Sequence, residues 1–314
     1  MSFDEARDSL QSLRQNLRFC HLPLHKGGIG FFLLLHALGG EEQPPLLVLR
    51  SVREKADVPE ARPDEVLFQR FRRIDILRML FLLTAGAYSA YALWDNNQVY
   101  AAVDNVQSDL LQFKPSADGE NGASFEELLA INPDVKAWLT LDNTAIDYPV
   151  VQGETNFSYI NTDVYGEFAL AGSIFLDADC NGEFRDPYNL LYGHHMENSK
   201  MFGDLDLYKE EDFFRANTTG ELILPDRTYH LEIFACLLVP ASEEAIFEVE
   251  HWDEDLSGLY QFAEDNALYT HPDTLRAMRE AGDGVQVLAM STCSTEFTDA
   301  RTILLAWMKT PEQP

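Results

Sequence analysis

The sequence predicts a mostly β fold, a closed barrel of about eight strands. A single membrane-spanning helix is predicted to precede the barrel. Eight short apolar or alternating runs follow residue 133, turn residues separate them, and few helical patterns interrupt them. Such a series is typical of a closed, mostly antiparallel barrel rather than a doubly wound sheet. The predicted strands are 137–141, 145–151, 172–177, 189–194, 220–224, 229–239, 285–292 and 301–307.

Three helical segments are predicted beside these strands. The first begins at Ser124, with Glu127 three residues later as in a capping box. A second covers 201–208, and a longer one covers 243–279, between the sixth and seventh strands. In the longer segment apolar residues recur at helical spacing: Leu256, Leu259, Tyr260 and Phe262.

The membrane-spanning prediction concerns residues 76–94, a run of 19 mostly apolar residues. A helix that crosses a bilayer needs about 20 such residues, and Arg78 near one end can reach the interface. Arginines cluster before the run and Asp95 follows it, which predicts a cytoplasmic N-terminus. The alternatives are a buried core helix and an uncleaved signal sequence.

The chain is therefore divided into four parts. Residues 1–73 are predicted to be a cytoplasmic segment of unknown structure, and 74–95 the transmembrane helix. Residues 96–123 are polar and charged, as in a stalk, and 124–314 form the β domain outside the cell.

The charge is strongly negative and unevenly distributed. The formal net charge is −29, and residues 1–78 hold 12 Lys and Arg against 11 Asp and Glu, so the acidic excess lies after residue 78. Such a surface repels nucleic acids, which excludes a DNA or RNA partner.

A candidate active site lies at the ends of three predicted strands. Cys293 ends one apolar run, Arg301 opens the next after a short polar loop, and His194 ends an earlier run. Four cysteines occur, and three of them follow the membrane segment, so one thiol stays unpaired even if Cys180 and Cys236 form a disulfide. A Cys, a His and an Arg at strand ends favour cysteine acyl transfer over a metal site.

Each group suits a particular step of that chemistry. A nearby cation makes the Cys293 thiolate a better-populated nucleophile, and His194 can be that cation and later protonate a leaving amine. Arg301 cannot act as a base, but it can donate hydrogen bonds to an oxyanion. His195 competes with His194, and in an extended segment only one of them can face the thiol. Taken singly, a packing cysteine, a solvated histidine and an ion-paired arginine are the simpler interpretations.

Together these residues resemble the sortases of Gram-positive bacteria. The resemblance rests on Ser-Thr-Cys at 291–293, on an arginine eight residues after the cysteine, and on Tyr-Gly-His at 192–194. It extends over about 125–308, and Ala289 replaces the first threonine of the family's usual Thr-Leu-x-Thr-Cys. Class B sortases in particular are resembled by 145–153 with Asn156, Phe157 and Tyr159 after it, by 172–177 and by 198–202.

The resemblance implies an eight-stranded barrel with N-terminal helices and a helical insertion between the sixth and seventh strands. It implies a membrane-anchored cysteine transpeptidase with Cys293 as nucleophile, His194 as general acid and Arg301 as stabiliser of the oxyanion. Such an enzyme cuts the C-terminal sorting signal of a secreted protein after its threonine. It then transfers the acyl group to an amine of a cell-wall precursor or a pilin.

Further expectations concern ligands and alternatives. The predicted substrate contacts are Thr292, Ser291, Asn189 and Tyr192, and no cofactor or metal ion is predicted. One alternative is an L,D-transpeptidase-like cross-linker, although the Ser-His-Gly-Cys string of that family is absent. Another is a surface module that keeps the barrel without activity.

Overall fold

A computed structural model describes residues 63–115, 122–282 and 284–310. These residues belong to two compact units that divide between Gln98 and Val99. The predictions made for residues 1–62 lie outside the described residues.

The described part of the first unit, 63–98, lies entirely in helix α1 (Pro63–Leu111). Among the described residues, one helical segment, Asp75–Leu111, is long and apolar enough to cross a membrane by length and composition. Its large apolar side chains are exposed to the surroundings, from Ile76 to Trp94. The segment therefore includes the predicted span of residues 76–94.

The second unit begins with the last turns of α1 and continues with α2 (Gly122–Ile131). The residues predicted to start a polar stalk are helical as far as Leu111, and two of their side chains, Val103 and Leu110, are buried. Gln107 donates to the carbonyl of Ala145 over 3.3 Å. The last part of α1 thus packs as part of the β domain instead of extending away from it.

The barrel consists of eight strands, as predicted. The strands are β1 (Val135–Leu141), β2 (Asp147–Val151), β3 (Ile174–Leu176), β4 (Tyr188–Tyr192), β7 (Thr219–Ile223), β8 (Thr228–Pro240), β10 (Gln286–Cys293) and β11 (Ala300–Lys309). Their neighbour order is β11-β10-β4-β3-β2-β1-β7-β8, and a β8–β11 pairing closes the circle. Only β2–β3 and β4–β10 are parallel, so the barrel is mostly antiparallel.

The predicted helical insertion lies between β8 and β10, the sixth and seventh barrel strands. It contains α4 (Glu244–Phe247), a 3₁₀ helix (Val249–Trp252), α5 (Ser257–Asn266) and α6 (Pro272–Ala281). A short strand, β9 (Ala267–Thr270), interrupts the predicted helical segment and pairs with β8. β9 can form because β8 is longer than its partner β7, and residues 235–237 of β8 are left without a β7 neighbour.

The connection from β4 to β7 begins with a small hairpin that was not predicted. Its strands are β5 (His195–Met196) and β6 (Lys200–Met201), paired antiparallel. A 3₁₀ helix, Gly203–Lys209, stands where a helix was predicted at 201–208, and α3 (Glu211–Ala216) follows it. The hairpin leaves the barrel directly after the predicted site residue His194.

Candidate active site

Cys293 and Arg301 lie side by side at the rim of the barrel. β10 and β11 are antiparallel, and their register pairs Cys293 with Arg301. Directly opposed residues of antiparallel strands have Cα atoms about 5 Å apart and side chains on the same face. The short loop between the two strands therefore brings the thiol and the guanidinium together, as their positions at strand ends predicted.

Two hydrogen bonds bring His194 to the same rim. β4 lies parallel to β10, with Ser291 opposite Tyr192. The Gly193 amide donates to the Ser291 carbonyl over 3.1 Å, and the Thr292 hydroxyl donates to the Gly193 carbonyl over 2.9 Å. His194 is the next residue, so the parallel pairing places it beside the end of β10. The three predicted catalytic residues are thus neighbours at one end of β4, β10 and β11.

The imidazole of His194 has a defined orientation. Its Nε2 lies 2.8 Å from the carbonyl oxygen of Ile160. A carbonyl oxygen can only accept, so Nε2 carries a proton and Nδ1 is the nitrogen that exchanges its proton. Burial lowers the pKa of His194, and the bond to Ile160 opposes that change. The neutral ring is therefore the main form at neutral pH.

His195 has different neighbours. Its Nε2 lies 2.9 Å from a carboxylate oxygen of Asp206, in the 3₁₀ helix that follows the hairpin. This agrees with the expectation that neighbouring residues of an extended segment face opposite sides.

Arg301 is 5% exposed, which is unusual for an arginine. Its Nη1 donates to the carbonyl of Ala300 over 2.9 Å. Burial lowers the pKa of Arg301, while the negative charge of Asp299 raises it. A guanidinium keeps its proton at every relevant pH, so Arg301 supplies fixed positive charge and donors but no base.

Three of the predicted substrate contacts lie next to this group. Ser291 and Thr292 are buried in β10, and the Thr292 hydroxyl is already used by Gly193. The ring of Tyr192 is partly buried and lies between those of Phe175 and Phe247, with centroid distances of 5.3 Å and 6.4 Å. Ser291, Thr292 and Tyr192 are therefore part of the barrel rim beside Cys293.

The fourth predicted contact, Asn189, lies elsewhere. It is fully buried and pairs with Leu288, five residues before Cys293 along β10. At about 3.3 Å per residue this separates the two residues by about 16 Å. Its amide donates to the carbonyl of Asp186 over 2.9 Å, near the opposite end of the barrel. The structure thus gives no support to a substrate contact by Asn189, because a strand-long distance separates it from the thiol.

Two groups that the sequence did not single out as site residues support the rim. Ile160 contributes a backbone carbonyl, for which its side chain gives no sequence signal. Asp177 accepts from the Tyr192 hydroxyl and from the Asn156 amide, each over 2.9 Å. Burial raises the pKa of Asp177, and these hydrogen bonds oppose that change. The hydrogen bond to Asp177 therefore holds Tyr192 in position at the rim.

The other two described cysteines are packing residues of the core. Cys180 and Cys236 are free and buried. Burial raises the pKa of each thiol to about 12. Both are therefore protonated at neutral pH and poor nucleophiles, and they are not joined to each other.

Comparison with known proteins agrees with the barrel and with the site. The chain is 31% identical to sortase B of Listeria monocytogenes over 182 residues, which are 58% of the chain and 71% of the relative. A scan against models of protein families finds no match.

Solved structures give the same result. A class B sortase of Streptococcus pyogenes involved in pilus biogenesis is 34% identical with a TM-score of 0.53; the match covers 60% of this chain and 100% of that one. The substrate complex of Staphylococcus aureus sortase B has a TM-score of 0.58 at 24% identity, over 69% of this chain and 99% of that one, and shows a shared fold.

The barrel and these relatives identify the chain as a sortase, a class of cysteine transpeptidases. Within that class, the chain belongs to the sortase B family.

Proposed function

We propose that this chain is a membrane-anchored sortase whose nucleophile is Cys293, whose general acid is His194 and whose oxyanion stabiliser is Arg301. The observation that carries the proposal is the register that pairs Cys293 with Arg301 and ties Gly193 to the residues just before Cys293. In the described parts of the chain, no other group of residues brings a thiol, an imidazole and a guanidinium together at neighbouring strand ends.

In the first half-reaction the Cys293 thiolate attacks the carbonyl carbon of the substrate threonine, and the oxygen of that carbonyl becomes negatively charged. Arg301 donates hydrogen bonds to this oxyanion in a largely buried position, where such bonds are strong. Nδ1 of His194 gives its proton to the leaving amine as the peptide bond breaks. The products are a thioester on Cys293 and a free peptide that carries the new amino terminus.

In the second half-reaction an amine attacks the thioester carbonyl. The amine loses a proton to Nδ1 of the neutral His194, a new amide bond forms, and the Cys293 thiolate leaves. His194 thus starts and ends the cycle in the same protonation state.

The proposed substrate is the C-terminal sorting signal of a secreted protein, and the proposed acceptor is an amine of a cell-wall precursor or a pilin. The similar Staphylococcus aureus sortase B has been solved with a substrate, and the Streptococcus pyogenes enzyme is involved in pilus biogenesis. Both facts support an acyl transfer between secreted proteins and surface amines.

The test is cleavage of labelled sorting-signal pentapeptides by the purified chain in mild detergent and a reductant, with several amines present. We expect Cys293→Ala to abolish cleavage and Cys180→Ala to retain it, because Cys180 is buried away from the rim. Mass spectrometry of the product identifies which amine is joined. Cleavage that survives Cys293→Ala would refute the assignment.

A selective alkylation measurement separates the enzyme from an inactive surface module. An activated Cys293 reacts faster than Cys180 and Cys236, whose thiols are protonated at neutral pH. Equal, slow labelling of all three thiols in reductant would favour the inactive module.

The proposed topology places residues 1–73 in the cytoplasm, 74–95 in the membrane and the β domain outside the cell. The support is an exposed apolar helix with arginines before it and an acidic domain after it. Protease added to intact cells is expected to degrade the β domain and to spare an epitope tag at the N-terminus. Protection of the β domain from the protease would contradict the proposed topology.

A further inference from the structure

Two charged residues of the 3₁₀ helix Gly203–Lys209 contact the neighbours of all three proposed catalytic residues. These two residues are Asp206 and Lys209. The neighbours are the residues that directly follow the catalytic ones in the chain: His195 after His194, Ser294 after Cys293 and Thr302 after Arg301.

Asp206 holds two of these neighbours. One carboxylate oxygen, Oδ2, lies 2.9 Å from Nε2 of His195. The other, Oδ1, accepts from the Thr302 hydroxyl over 3.2 Å and lies 2.9 Å from the Lys209 ammonium. A single carboxylate thus joins the start of the hairpin to the start of β11.

Lys209 holds the third neighbour. Its ammonium donates to the Ser294 hydroxyl over 3.4 Å and forms an ion pair with Glu296, two residues further along the same loop. Ser294 also donates to Glu296. The ion pair of Asp206 and Lys209 therefore connects the loop after β10 to the two segments held by Asp206.

The two residues carry full charges in this setting. Burial alone would raise the pKa of Asp206, but the hydrogen bonds from His195 and Lys209 outweigh it and lower that pKa. Burial would likewise lower the pKa of Lys209, but its bonds to Glu296 and Asp206 raise it. Charge-assisted hydrogen bonds between partly buried groups are stronger and more directional than neutral ones.

The contacts lie on the side of the strands that the catalytic side chains do not use. Successive side chains of a strand point to opposite faces, so Thr302 and Arg301 face opposite ways. Asp206 therefore binds side chains on the face opposite to that of His194 and Arg301.

We infer that Asp206 and Lys209 are positioning residues for the transpeptidation, a role that rests on the proposed function of Cys293, His194 and Arg301. They fix the distances among the three segments that carry the thiol, the imidazole and the guanidinium. Catalysis depends on such distances, since a misplacement of about 1 Å can lower a rate by about 100-fold.

The test compares the full chain with Asp206→Asn and Lys209→Met, measuring kcat, KM and Tm with a cleaved sorting-signal peptide. We expect kcat to fall by about 10- to 100-fold with KM changed by less than about 3-fold, because the substrate face stays intact. Lys209→Arg is expected to restore most of the lost kcat, since it keeps the charge. The alkylation rate of Cys293 should shift in the same variants.

The chain offers a matched control at the other end of β11. Glu232 accepts from the Thr274 hydroxyl over 2.6 Å and pairs with Lys309, so it has a threonine and a lysine partner as Asp206 has, without the histidine, and the two carboxylates are similarly exposed. Glu232→Gln and Lys309→Met should lower Tm by as much as the Asp206 and Lys209 variants while leaving kcat within about 3-fold of the parent.

Unchanged kcat in both Asp206→Asn and Lys209→Met would overturn the inference, and so would an equal loss of kcat in the Glu232 control. If Asp206→Asn does not fold, Thr302→Val and Lys209→Met decide the question by the same criteria. A parent enzyme without Cys293-dependent cleavage would instead refute the proposed function itself, so the two failures are distinguishable.

Discussion

At the scale of single residues, the orientation of His194 determines what the site can do. The Ile160 carbonyl holds a proton on Nε2, which leaves Nδ1 for exchange with a leaving or attacking amine. The neutral ring dominates because burial lowers the pKa of His194. The imidazolium is therefore the minor form of His194 at neutral pH.

The pH dependence of stability tests the environment of His194. Its pKa lies below the ordinary value of 6.5, so below about pH 6.5 the unfolded chain binds a proton at this ring that the folded chain does not. The contribution of the neutral ring to stability is therefore present above that pH and is lost as the pH falls towards the pKa of the folded state. We expect the Tm advantage of the parent over His194→Gln to be smaller at about pH 5.5 than at about pH 7.5.

Thermal melts of both proteins at the two pH values check this expectation. His271, whose pKa burial also lowers, is present in both proteins and cancels in the comparison. An advantage that grows as the pH falls would mean that His194 is protonated in the folded state.

Arg301 can be tested by a change that keeps its charge. We expect Arg301→Lys to lower kcat/KM by about 100-fold or more, because an ammonium cannot reproduce the two-pronged donor geometry of a buried guanidinium. Arg279→Lys, at an exposed ion pair with Glu264, should leave kcat/KM close to that of the parent. Steady-state kinetics with the same peptide measure both, and equal activity of Arg301→Lys and the parent would remove Arg301 from the chemistry.

At the scale of elements, the loop between β2 and β3 supports the site through its backbone. Gly172 has a φ of +57°, and a Cβ at this position would lie 2.3 Å from the carbonyl oxygen of Ile160. This is the oxygen that binds His194. The loop therefore depends on a glycine to keep that carbonyl in place.

A pair of alanine variants tests this link. Gly166 also has a positive φ, of +82°, but a Cβ there would meet nothing within 4 Å. We expect Gly166→Ala to cost about 1–2 kcal/mol of stability from backbone strain alone and to keep kcat near the parent value. Gly172→Ala should cost more and lower kcat by about 10-fold, because the Ile160 carbonyl must move. Equal kcat values for the two variants would exclude the proposed support of His194.

The end of α1 gives a second test at this scale. Leu110 is 1% exposed and packs with Phe125 and Trp138, whereas Leu111 is 40% exposed. Leu110→Ala should lower the free energy of unfolding by about 2–5 kcal/mol, and Leu111→Ala by less than about 0.5 kcal/mol. Chemical denaturation of the two variants measures the difference. Similar small losses would show that this turn of α1 is not part of the core.

The elements also show how far sequence patterns reach. The eight barrel strands were predictable because each is a continuous apolar or alternating run. β9 was not, since Ala267–Thr270 is short and follows directly on a helix. It exists because the longer β8 offers an edge that β7 leaves open. Strand formation there depends on a partner far away in the sequence.

At the scale of the whole molecule, charge is the dominant feature. The formal net charge is −29, and most of the acidic excess belongs to the β domain. Like charges at this density repel one another in the compact state, and salt screens them over about 10 Å at 0.1 M.

We therefore expect the Tm of the full chain in detergent to rise by several degrees between about 20 mM and about 200 mM NaCl. Differential scanning calorimetry at a fixed pH near 7.5 measures the change, and an equal concentration of a neutral osmolyte serves as control. A Tm that is independent of salt would mean that the acidic side chains are too dispersed to repel one another significantly.

The sequence by itself determined the strands, the acidic surface and the chemical types at the site. It pointed to Cys293, His194 and Arg301 because a thiol, an imidazole and a guanidinium are side chains, and each stood at the end of an apolar run. Their roles stay predictions until the kinetics are measured.

Only the tertiary structure decided which groups meet these three residues. The parallel pairing of β4 with β10 excluded Asn189 from the rim and brought Gly193 to Thr292. The tertiary structure also revealed that the Ile160 carbonyl binds His194 and that Asp206 and Lys209 form an ion pair. The physical reason is that every residue has the same backbone carbonyl and that charged residues are common on surfaces, so neither leaves a local signal in the sequence. Their positions depend on strand register and long-range packing, which the whole chain sets together.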